Sequence, residues 1–143
     1  MMIMRKLFIL FMLVMLALVA CGGAGGDGAS APTIEPVDVA ALAPTVDVHT
    51  VYALLKSPDV LLLDVREPDE YAGGHIPGIT LIPMGEIPGR LSELPTDKPI
   101  IVTCRTGNRS GQVVEFLRGQ GFTNVHNMDG GIVAWIEEGY ETE

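Results

Sequence analysis

Apolar and polar positions along the chain fall into two alternating patterns, short continuous apolar runs and segments of helical spacing. Val46 opens a short strand, and Asp47 is placed to cap a helix carrying Val48, Val51 and Leu55. Ser57-Pro58-Asp59 breaks that helix, and Val60-Leu61-Leu62-Leu63 then reads as a strand buried on both faces. Thr80-Leu81-Ile82 is a third strand, and Ile87, Leu91 and Leu94 mark a short helix after it. Pro99 to Thr103 is a fourth strand, followed by a helix with Val113, Val114, Phe116 and Leu117 on one stripe and Gly121 at its end. Val125-His126-Asn127 is a fifth strand, and Ile132 to Glu138 a closing helix. This alternation predicts an α/β domain, a small parallel five-stranded sheet with helices on both faces. Such sheets bind ligands at the carboxyl ends of their strands.

Before this domain the pattern changes. Leu7 to Ala20 is an unbroken apolar run behind Arg5 and Lys6. Its fourteen residues are short for a bilayer span, which takes about 20, but suit the hydrophobic region of an export signal. The run ends Leu18-Val19-Ala20-Cys21, which resembles the lipobox of bacterial lipoproteins. That resemblance implies cleavage after residue 20, lipid on Cys21, and anchoring to the outer face of a bacterial membrane. An uncleaved anchor, or secretion with an incidental Cys, are the alternatives. Residues 21–44, rich in Gly, Ala and Pro, read as a flexible tether. The folded unit is expected over residues 45–143.

Charge narrows the partners. The chain has 9 Lys and Arg against 18 Asp and Glu; loss of Arg5 and Lys6 with the signal leaves 7 against 18, or −11. Nucleic acid is excluded as a partner by repulsion. With two Cys in all and one claimed by lipid, no disulfide framework is expected, and Cys104 stands alone.

Cys104-Arg105-Thr106-Gly107-Asn108-Arg109-Ser110 joins the fourth strand to the following helix. A strand–loop–helix turn aims successive backbone N–H groups and a helix N-terminus at one point. A thiol there is expected to have a depressed pKa and to act as a nucleophile. Ser110 either caps the helix or donates to the Cys104 sulfur. Asp64 and Arg66 end the second strand and read as an ion pair fixing loops or as substrate contacts. His75 sits in a turn, and His49 and His126 read as surface or core fillers. No His/Cys grouping has metal-ligand spacing, so neither metal nor cofactor is expected.

Three motifs carry a further resemblance. Leu63-Asp64-Val65-Arg66-Glu67 with Glu70-Tyr71 and Gly74-His75-Ile76-Pro77-Gly78, then the Cys104–Ser110 loop, then Gly130-Gly131-Ile132-Val133-Ala134-Trp135 resemble a rhodanese domain. The resemblance implies a single-domain sulfurtransferase in which Cys104 takes sulfane sulfur from thiosulfate or a similar small anionic donor as a persulfide. It passes that sulfur to a thiophilic acceptor, which can be a protein. The amides of Arg105 to Arg109 would cradle the persulfide, Arg109 would tie the loop, and Arg105 would attract anionic donors. Four residues separate Cys104 from Arg109, where related phosphatase loops have five, which argues against phosphoryl transfer. The alternative to an enzyme is a persulfide relay or binding module serving a partner; a monomer is expected.

Overall fold

Residues 36–143 are described by the structure, a computed structural model. The apolar run, Cys21 and most of the expected tether lie outside the described residues. Five strands, β1 (Thr45–Val46), β2 (Leu61–Asp64), β3 (Thr80–Leu81), β4 (Ile100–Thr103) and β5 (Val125–Met128), form one sheet in the order β1-β5-β4-β2-β3. Every pairing is parallel. The helices are α1 (Val48–Leu54), α2 (Pro68–Ala72), α3 (Asn108–Gly119) and α4 (Gly131–Glu137).

The apolar runs alternate between two cores, as the two-residue period of a strand requires. Leu62 and Ile101 face one core with Val48 and Val51 of α1 and Ile132 and Trp135 of α4. Leu63, Ile100 and Val102 face the other, with Val113, Val114 and Leu117 of α3. The central strands β2 and β4 are thereby covered on both sides, which is why they read as unbroken apolar runs.

Several expectations shift in detail. Asp47 caps α1 as expected, its carboxylate accepting from the Thr50 amide at 2.8 Å. The helix buries Leu54, whereas Leu55 is the partly buried cap. Phe116 is 37 % exposed rather than part of the buried stripe of α3, because it lies more than a quarter-turn from the line through Ser110, Val113, Val114 and Leu117. Ile87, Leu91 and Leu94 belong not to one α-helix but to 3₁₀ turns at Met84–Gly89 and Leu91–Glu93 and the residue after them. Pro88 inside the first turn removes the N–H an α-helix would use.

The folded unit also starts before Thr45. Val37, Val39 and Leu42 pack against the core, and the Ala43 carbonyl bonds the His126 ring at 2.6 Å. The apolar side chains in this Pro-rich stretch are what bring the last part of the expected tether down onto the domain. At the other end, the Glu143 and His75 backbones exchange two hydrogen bonds of 3.0 Å.

Candidate active site

The carboxyl end of β4 delivers Cys104 directly to the N-terminus of α3. Between them the chain turns at Gly107, whose φ of 91° is left-handed and favours a residue without a Cβ. The turn aims the Gly107 amide back at the Cys104 sulfur, 3.2 Å away. One turn into α3, the Ser110 hydroxyl faces the same sulfur at 3.4 Å. Gly107, not Ser110, holds the cap position, so of the two roles open to Ser110 the structure displays the bond to sulfur.

Cys104 is 1 % exposed, and it is a free thiol. Burial pushes its pKa up. Hydrogen bonds from the Ser110 hydroxyl and from the Ser110, Thr106 and Gly107 amides more than reverse this, leaving the thiol below its ordinary value. Ser110→Ala removes the leading donor. It should raise the thiol pKa and slow iodoacetamide alkylation at neutral pH by several-fold, with the alkylation–pH midpoint moving up.

The loop is clamped from the far side by α4. The Ile132 and Val133 amides donate to the Cys104 and Arg105 carbonyls at 2.9 and 3.1 Å. Gly131, with φ 58°, lies so close beneath that a Cβ there would stand 2.6 Å from the Arg105 carbonyl oxygen. The Gly130-Gly131 pair thus permits the approach of one backbone to another, as well as a turn. Asn127 of β5 adds a bond from its side-chain amide to the Gly107 carbonyl at 3.1 Å.

Arg109 is half-buried, and its two terminal nitrogens each reach a Glu70 carboxylate oxygen at 2.7 Å. Arg105 is exposed, as are Thr106 and Asn108, and Asn108 accepts from Gln112 within α3. Asp64 and Arg66 form a buried ion pair of 2.8 Å. Arg66 also donates to the Glu70 and Gly74 carbonyls, so the pair fixes the α2 segment that presents Glu70 to the loop. These bonds are the structural reading of the two residues.

The connecting helix α2 and the role of Glu70 were not read from the sequence. A signal existed for the helix: Pro68 in the first turn, with a reciprocal capping box between Glu67 and Glu70. Nothing local pointed Glu70 at a partner 39 residues away. The arginine drops the Glu70 pKa to about 2; its bond leads the causes, burial opposes it, and the Glu67 amide, the Arg109 charge and the Arg66 charge add to it. A carboxylate with a depressed folded pKa stabilises the fold above its unfolded value, 4.5. That stability is lost as pH falls toward 2. The part-exposed pair should contribute about 1 kcal/mol after solvent screening. Urea denaturation of Glu70→Gln and the parent should therefore differ at pH 7 and converge across this acid window.

A profile of the rhodanese-like domain family matches residues 47–138. The chain belongs to that family. A sulfurtransferase of Allochromatium vinosum is 45 % identical over 86 residues, covering 60 % of this chain and 80 % of that one. The thiosulfate sulfurtransferase GlpE of Pseudoalteromonas translucida is 40 % identical over 82 residues, 57 % of this chain and 78 % of its own. Among solved structures, a rhodanese-related protein from Thermoplasma volcanium superposes with a TM-score of 0.65 at 38 % identity. That match covers 71 % of this chain and 98 % of the other. Family membership and these relatives support sulfur transfer in general terms.

Proposed function

We propose that this rhodanese-like domain is a sulfurtransferase moving sulfane sulfur from thiosulfate or a similar donor to a thiophilic acceptor through a Cys104 persulfide. The observation that carries the reading is the Cys104 sulfur receiving the Gly107 amide and the Ser110 hydroxyl at the N-terminus of α3. In the first step the thiolate attacks the outer sulfur of thiosulfate. The S–S bond breaks with its electron pair going to sulfite, and Cys104 keeps the sulfur as an anionic persulfide. In the second step an acceptor such as cyanide attacks the terminal sulfur, thiocyanate leaves, and the thiolate returns. Both steps place negative charge on sulfur inside the loop, where aimed amides stabilise it without reorganising.

Arg105 is exposed and follows Cys104 in the chain, which supports attraction of an anionic donor to an acidic protein. The occupation of Arg109 by Glu70 adds to the short loop as an argument against phosphoryl transfer, since both its terminal nitrogens already serve a carboxylate. Intact mass after thiosulfate treatment tests the proposal. One added sulfur, removed by cyanide, is expected; an unchanged mass under turnover conditions overturns it.

On the same reading the enzyme works outside the cytoplasmic membrane, held by lipid on Cys21. The support is the apolar run and the residues that close it. Two or more acyl chains give durable attachment where one does not. Cys21→Ala should move the protein from the membrane fraction to the soluble fraction or leave it as an unprocessed precursor of higher mass. Unaltered membrane retention at mature mass would end the lipid assignment.

A further inference from the structure

Five arginines lie among the described residues, and four of them are paired with carboxylates. Arg66 meets Asp64, Arg90 meets Glu86 and Glu93, Arg109 meets Glu70, and Arg118 meets Glu115. Arg105 is the exception and is exposed. The active loop thus carries two cations in sequence but presents one. The second is matched by a carboxylate from a different element, through two bonds of 2.7 Å. Glu70 is itself fixed twice over: its carboxylate accepts from the Glu67 amide, and Arg66 holds its carbonyl.

We propose that Glu70 is a specificity-determining positioning residue: by neutralising Arg109 it limits the active loop to one free cation and so sets its preference between singly and doubly charged sulfur donors. The substrate class follows from this partition and rests on the sulfur-transfer reading above. A site with Arg105 alone suits a donor whose anionic end is met by one guanidinium. Freeing Arg109 adds a unit of positive charge near the sulfur, and Arg109 already senses the Cys104 charge. A dianion gains about twice as much from that added charge as a monoanion does. Glu67 and Arg66 are the other charges acting on the pair, and they stay constant in the comparison.

The test compares thiosulfate, a dianion, with methanethiosulfonate, a monoanion that gives the same persulfide and releases methanesulfinate. Glu70→Gln should raise the ratio of kcat/KM for thiosulfate over methanethiosulfonate roughly three- to ten-fold, through a lower KM for thiosulfate. Glu70→Asp keeps the charge while loosening the two-bond geometry, and should keep the parent ratio. The double change Glu70→Gln with Arg109→Gln restores local neutrality and should return the ratio to the parent value. A ratio unmoved in Glu70→Gln, or moved equally by Glu70→Asp, assigns Glu70 a tethering role and overturns the proposal.

A second readout needs no sulfur transfer. The pH midpoint of Cys104 alkylation should fall in Glu70→Gln and return in the double variant. If neither donor charges Cys104, the sulfur-transfer reading fails, and the alkylation midpoints still decide whether Glu70 sets the charge at this thiol.

Discussion

Cys104→Ser should take up no sulfur from thiosulfate and should reduce thiosulfate:cyanide turnover to the uncatalysed rate while leaving the fold intact. Serine is nearly isosteric, and the Gly107 and Ser110 donors that now face sulfur can face its hydroxyl. What is lost is the anion. A thiol whose pKa is lowered by those donors gives up its proton more readily than a free thiol, whereas a serine hydroxyl ionises far less readily than any thiol. The expected loss is therefore complete within assay sensitivity, and thermal melting should move little. Equal activity in the two proteins would remove Cys104 from the chemistry.

The second large effect is on stability. Asp64 is fully buried, and its carboxylate accepts four hydrogen bonds from the Arg66 side chain and backbone, at 2.8 to 3.1 Å. Arg66→Met strips the cation from beside a carboxylate that has no route to water. Breaking one half of a buried pair costs about 3–5 kcal/mol, readable as a fall in the urea midpoint. The Glu70 and Gly74 carbonyls lose their donor in the same change, so α2 should loosen and Glu70 should hold Arg109 less firmly. Activity should decline along with stability. Replacing both partners, Asp64→Leu with Arg66→Met, should recover most of the stability, because an apolar pair leaves no charge stranded. A single change costing less than about 1 kcal/mol would overturn this account of the pair, since that is the scale of a solvent-exposed one.

Much of this molecule was legible residue by residue. Unbroken apolar runs in Leu61–Leu63 and Ile100–Val102 announced strands covered on both faces, and the structure buries them that way. The strand boundaries moved by a residue because hydrogen-bond ladders, not hydropathy, decide where pairing stops. The loop was legible for the same local reason: Gly107 supplies the left-handed turn, and the helix that follows supplies the amides. Phe116 and the 3₁₀ turns over Met84–Glu93 were misread where helical spacing was loose or where Pro88 interrupted it. Val37, Val39 and Leu42 were hidden among prolines that suggested a tether, and only contact with the core gives them a place.

The chemistry offered by this chain was therefore determined locally, by one thiol between a buried strand and a helix start, with Ser110 one turn on. Its tuning was decided in three dimensions. Glu70 reaches Arg109 across 39 positions of sequence, Asn127 reaches the Gly107 carbonyl across 20, and the Gly130-Gly131 turn meets the Cys104–Arg105 peptide from beneath. Periodicity reports the burial of a residue's own face, because that depends on near neighbours in the chain. Which charge meets which depends on strand order, and β4 lying between β2 and β5 is what brings those partners to one sulfur.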